Sequence, residues 1–82
     1  MKKTIFITGA STGMGKATAI FFQQKGWNVI PTMRNPDKET DLSQLENVIL
    51  LPLDVTDPGM IKSAVTKAIS IHSVDVVFNN AG

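Results

Sequence analysis

Residues Thr8 to Thr18 read TGASTGMGKAT, with glycines at 9, 13 and 15 and a lysine at 16. A glycine-rich turn that runs into a helical pattern suits a phosphate, because backbone N–H groups can approach the anion and a helix N-terminus points at it. Two chemistries use such a turn. A nucleoside-triphosphate loop, G-x-x-x-x-G-K-[ST], leads to phosphoryl transfer, whereas a dinucleotide loop leads to hydride transfer. Aligning Gly15-Lys16 with the G-K pair puts Ala10 where the first glycine is required and Ala17 where the magnesium-binding hydroxyl is required. That match fails at both ends, although Asp54, closing the apolar run Ile49 to Leu53, stands where a magnesium-holding aspartate would. The dinucleotide reading needs a tight turn, a backbone that can approach pyrophosphate, and close packing of helix on strand. Gly9, Gly13 and Gly15 are spaced for those tasks as G-x-x-x-G-x-G. A purely structural turn uses glycines too, so the spacing alone is weak evidence.

The elements around this turn alternate. Thr4 to Thr8 is a β-branched and aromatic run, apolar on both faces at its centre, as in a strand buried between helix layers. Met14, Ala17, Ile20 and Phe21 then recur at helical spacing up to Gly26, a natural stop. Trp27 to Thr32 reads as a second strand, with Pro31 expected near a strand end or bulge because it cannot donate to a ladder. Asn35 to Glu46 is polar and carries at most a short helix around Asp41 to Leu45. Asn47 to Leu53 reads as a third strand. Thr56-Asp57-Pro58 caps a helix with the apolar stripe Ile61, Ala64, Val65, Ala68 and Ile69. Val74 to Phe78 is a fourth strand, followed by Asn79-Asn80-Ala81-Gly82. The alternation predicts an α/β fold, a doubly wound parallel sheet of about four strands built from right-handed βαβ units.

The 82 residues amount to one small unit, with eight basic and seven acidic side chains scattered along it and no cysteine. This balance indicates no nucleic-acid or membrane partner and excludes disulfide and thiolate chemistry. It is compatible with a cytoplasmic location. The apolar stretch after Lys2-Lys3 is cut at Thr8-Gly9, too early for an export signal or a membrane span. Lys16 is expected to be solvated on its helix and His72 to be a surface residue. Trp27, Phe6, Phe21, Phe22 and Phe78 are expected mostly in the core. No metal-ligand set is apparent.

Three motifs in register, TGASTGMG after the first strand, LDVTD (Leu53 to Asp57) after the third and NNAG (Asn79 to Gly82) after the fourth, resemble the short-chain dehydrogenase/reductase family over the whole chain. The resemblance implies a Rossmann-like sheet and a turn that binds the cofactor pyrophosphate through Gly9, Ser11, Thr12, Gly13, Met14 and Gly15, the Met14 amide among the donors. It implies that Asp54, with the Val55 backbone beside it, meets the adenine, and that Asn80, Ala81 and Gly82 brace the sheet and line the inner ribose. NAD enzymes carry an acidic residue at the end of the second strand to bind the adenosine ribose. Here Met33 and Arg34 stand in that place. The missing carboxylate and the guanidinium resemble the NADP-preferring members, with NAD the lesser fit, and Ser11 adds a hydroxyl to the same phosphate.

The resemblance also implies that the family's catalytic serine, Tyr-x-x-x-Lys pair and further asparagine fall after the NNAG turn. The chain has no tyrosine, so no catalytic residue is assigned within it. The expectation is an NADP(H)-binding portion, residues 1–82, cut after NNAG, of an enzyme that moves hydride between NADPH and a carbonyl or alcohol. A dinucleotide-binding module without chemistry is the alternative, ahead of a triphosphate-binding protein. Cut there, the apolar fourth strand becomes an open edge, which predicts self-association or a need for the missing C-terminal half.

Overall fold

The computed structural model describes residues 2–11, 13–54 and 56–80. The strands are β1 (Thr4–Thr8), β2 (Asn28–Met33), β3 (Leu51–Pro52) and β4 (Val76–Asn79), and the helices are α1 (Gly13–Gln24) and α2 (Pro58–Ile71). All four strands are parallel in the order β3-β2-β1-β4. Each crossover helix follows a strand, so the expected doubly wound α/β sheet is what forms.

The two-residue alternation of β1 and β2 sorts their side chains between two cores. Ile5, Ile7, Val29 and Met33 pack with Ala19 of α1, and Ile20, Phe22 and Trp27 close that layer. Phe6 and Ile30 point the other way, onto Leu51, Leu53 and the two alanines of α2, Ala64 and Ala68. The end of α1 is a Schellman-type stop: Gly26 takes φ 86°, its N–H meets the Gln23 carbonyl, and the Trp27 N–H meets that of Phe22 at 3.0 Å. At the start of α2, Asp57 accepts from the N–H groups of Gly59 and Met60, with Pro58 opening the helix.

Several expectations change in detail. Pro31 lies buried within β2, paired with Ile7 of β1, and not at a strand end. The Val29 N–H bonds to Asn47 and the Leu53 N–H to Met33, so residues 29 and 33 face β3, and by alternation Pro31 does too. Its missing donor falls where the third strand breaks. Pairing there is a bridge at Val48, then a gap, then the short ladder of Leu51–Pro52, in place of a continuous strand from Asn47 to Leu53.

The face of α1 is also rotated from the expected one. Gly15 and Ala19 are buried, whereas Met14 (68%) and Phe21 (54%) are exposed. Close approach at Gly15 sets this rotation, as described below. The polar segment after β2 is anchored more firmly than its composition suggests. It forms 3₁₀ turns at Pro36–Lys38 and Leu42–Gln44, and Leu42 is fully buried in the α1-side core.

Candidate functional site

Because every strand runs the same way, the loops that leave their carboxyl ends gather along one edge of the sheet, where ligands of such folds bind. The strand order places Asp54 after β3, Arg34 after β2, the glycine turn after β1 and Asn80 after β4. Residues far apart in sequence thus become neighbours. The Ala10 N–H bonds to Thr32 at 3.0 Å, tying the turn to the end of β2, and the Leu53 N–H bonds to Met33 at 2.8 Å, tying Asp54 to the same place.

The three glycines do different work. Gly9 and Gly13 have φ of 64° and 60°, left-handed values that cost other residues energy. A Cβ on Gly13 would meet nothing within 4 Å, so its demand is conformational. Gly15 has the opposite problem: a Cβ there would collide with the Gly9 carbonyl and lie 2.8 Å from Asn80 Nδ2. The helix therefore packs directly on the turn.

That contact is latched from the fourth strand. The Thr8 hydroxyl donates to Asn79 Oδ1 at 2.9 Å and accepts from the Asn80 N–H at 2.9 Å, while the Asn80 side-chain amide donates to the Gly9 carbonyl at 3.2 Å. Thr8 was not singled out from the sequence, though a hydroxyl residue just before the turn is the available signal.

Between the turn and the end of β2 lies an open cleft of about 410 Å³ lined by Gly9, Ser11, Met33, Arg34, Asn35, Lys38 and Leu53. Its size falls in the ~300–1,000 Å³ range of small-molecule sites. Among the described residues two cations and no carboxylate line it, so a phosphorylated group meets attraction from both, with Asp54 beside Arg34 as the nearby opposing charge. Lys38 is the charged lining residue that sequence reading passed over, one 3₁₀ turn beyond Arg34, and Asn35 and Leu53 were passed over with it.

Asp54 flanks the cleft. Its Oδ1 accepts from the Thr56 hydroxyl at 2.6 Å and the Thr56 N–H at 3.0 Å, and lies 3.7 Å from Arg34 Nε. The Thr56 hydroxyl first, then the Thr56 N–H and the Arg34 charge, hold its carboxyl below the usual carboxylate range. Asp54 is thus also a helix-entry turn residue. The Arg34 side chain is 69% exposed, and such a surface ion pair restrains it little.

Lys16 is not merely solvated. Its Nζ lies 2.8 Å from Asp41 Oδ2 and 3.0 Å from Glu39 Oε1, bridging α1 to the segment after Lys38. These two partners, Asp41 first, raise its pKa above the usual lysine value.

Of the residues singled out from the sequence, Gly9, Ser11, Arg34 and Asp54 come together at the cleft, and Gly15 and Asn80 meet beneath the turn. Gly13 and Met14 open α1. Thr12, Val55, Ala81 and Gly82 lie outside the described residues.

A parallel sheet wound on both faces, with a glycine turn and a cationic cleft at its carboxyl edge, defines a dinucleotide-binding class of fold. The family model for short chain dehydrogenases matches residues 3–82, and the chain belongs to that family. It is 41% identical over 85 residues to the short-chain dehydrogenase ptmH of Penicillium ochrochloron, covering 99% of this chain and 31% of that protein. Among solved structures, ElxO with NADP bound superposes with a TM-score of 0.89 at 35% identity, over all of this chain and 36% of that one. A 4-hydroxyisoleucine dehydrogenase complexed with NADH gives 0.85 at 26% identity, over 99% and 34%. The chain thus spans about a third of the length of the relatives it matches. No helix among the described residues is long and apolar enough to cross a membrane.

Proposed function

We propose that this chain is the NADP(H)-binding portion of an oxidoreductase that moves hydride between the nicotinamide and a carbonyl or alcohol. The observation that carries the reading is the cleft at the end of β2, where Arg34 follows Met33 and, among the described residues, no carboxylate lines the wall. A free ribose diol is best held by a carboxylate, whereas a ribose phosphate is best held by a guanidinium.

In this reading the turn Gly9, Ser11, Gly13, Met14 and Gly15 receives the pyrophosphate at the start of α1, with Thr12 beside it. The crowding at Gly15 fits that assignment, since it brings the helix N-terminus hard against the turn. Arg34 and Ser11 take the adenosine phosphate, Asp54 and Val55 the adenine, and Asn80, Ala81 and Gly82 the inner ribose. The bound cofactor supplies the hydride. The residues of this chain bind and orient it, and the groups that handle substrate protons belong to the remaining two thirds of the length seen in relatives.

An apolar face supports the same reading. Val65, Ile69 and Val77 are exposed around Phe6, and among the described residues β4 beside them pairs on one side only, with β1. In isolation the chain self-associates through this edge. Titration calorimetry with NADPH and NADH tests the cofactor assignment: Arg34→Asp weakens NADPH far more than NADH, and equal losses would contradict it.

A further inference from the structure

The strands are parallel, so their amino ends gather at the edge of the sheet opposite the cofactor cleft. A second open cavity, of about 630 Å³, lies there, between the start of β1, the start of β2 and the turn that leads from α2 to β4. Lys2, Lys3, Asn28, His72, Ser73 and Asp75 form its polar wall. None of them has a part in the cofactor reading.

These groups differ in how far they are already engaged. Asp75 is committed: its Oδ2 accepts from the Thr4 N–H at 2.8 Å, and its own N–H donates to the Thr4 carbonyl at 2.9 Å, bracing β1 against the entry to β4. The Lys3 carbonyl accepts from the Asn28 N–H at 2.8 Å, and the Lys3 ammonium lies 5.7 Å from the centre of the Trp27 ring. Lys2, Lys3 and His72 form no ion pair with any described carboxylate. Two ammonium groups thus share a cavity with one carboxylate that the backbone already occupies, and His72 and Ser73 add further donors. His72 closes α2, where the helix presents roughly half a negative charge. That helix end and Asp75 are the charge opposing an anion, and the two lysines outweigh it.

We propose that this cavity is an oxyanion site, taking a tetrahedral phosphate, free or as a monoester, among Lys2, Lys3, His72 and Ser73. The bound anion ties the residues before β1 to the turn between α2 and β4. Because only the folded chain assembles the site, the anion also stabilises the fold. The inference is independent of the NADP(H) reading, since it uses other residues at the other edge of the sheet.

The chain has one histidine, so the ring protons of His72 report on the cavity without ambiguity. The test is an NMR titration of the 82-residue chain with inorganic phosphate and, separately, with glycerol 3-phosphate. The pH is constant and ionic strength is held with sodium chloride. The His72 ring protons are followed together with the amides of Gly9, Gly13 and Gly15, which report on the cofactor turn. Saturable movement of the His72 signals is expected with at least one probe, and the tighter of the two tells a free anion from an ester. Lys2→Gln and Lys3→Gln each weaken that binding about two- to fivefold, the scale of one exposed ion pair, and Lys3→Arg restores it. Lys62→Gln, at an exposed position on α2 outside the cavity, leaves it unchanged.

His72 signals that stay fixed with both probes, whether or not the glycine amides move, would overturn the proposal. A response that sodium chloride alone reproduces would do the same, as would a loss in Lys62→Gln equal to that in Lys2→Gln, because either reduces the effect to diffuse charge.

Discussion

Asn80, at the end of β4, donates its side-chain amide to the carbonyl of Gly9, 3.2 Å away at the end of β1. The bond joins residues 71 apart in sequence and holds the turn against which Gly15 packs. With Thr8 bonded to both Asn79 and Asn80, it forms a small brace between the two strands. Replacing Asn80 with Ala removes one hydrogen bond and is expected to cost about 1 kcal/mol. Thr8→Val strands polar partners on β4 and costs more, about 1–3 kcal/mol. Urea midpoints at one low protein concentration check this, and the reverse order would count against the brace.

Gly15 and Gly13 separate space from conformation. Gly15→Ala drives a methyl into the Gly9 carbonyl, and overpacking of this kind costs about 1–3 kcal/mol or more. Cofactor affinity should fall with it, since the helix must move off the turn. Gly13→Ala has room but keeps a left-handed φ, at about 1–2 kcal/mol. Thermal melts of the two variants, each with and without NADPH, distinguish them: ligand stabilisation survives better in Gly13→Ala.

Asp54 fixes a pH dependence. Its carboxyl pKa is depressed in the folded chain by Thr56 and then Arg34. The stabilisation it gives is therefore present above the unfolded carboxylate pKa and is lost as pH falls through the lower, folded value. Neutral and mildly acidic solutions leave this contribution intact. In Thr56→Ala the Asp54 pKa should rise toward its ordinary value, measured by NMR titration of the carboxyl carbon, and no movement would show that Thr56 is not the cause.

The exposed residues Ile69 (60%) and Val77 (63%) lie on one apolar face with Val65. Sedimentation of the isolated chain should show concentration-dependent association, and Val77→Lys should reduce it, because charge on an open edge blocks strand pairing. A monomer at every concentration would contradict the role given to β4.

Much of this was legible in the sequence because local signals agreed with the global fold. The strand, turn and helix around Gly9 to Gly15, the Asp57-Pro58 cap and the stop at Gly26 each have a local cause, and each is found in the structure. What was missed depends on neighbours distant in the chain. The placement of Pro31 in the middle of the sheet is tolerated because its missing donor faces a gap in β3, a partner that its own flanking residues do not reveal. The orientation of α1 is set by contact of Gly15 with Gly9 and Asn80, so the expectation that Phe21 lies in the core fails. Lys16 looked like a solvated lysine because its partners sit 23 and 25 residues away, across a polar segment whose single buried anchor is Leu42.

The most direct test of the central claim is calorimetric titration of the folded chain with NADPH, NADH and ATP with magnesium. The account predicts that NADPH binds in preference to both. Tighter binding of NADH would contradict the phosphate-reading role of Arg34, and tighter magnesium-dependent binding of ATP would return the glycine turn to phosphoryl-transfer chemistry.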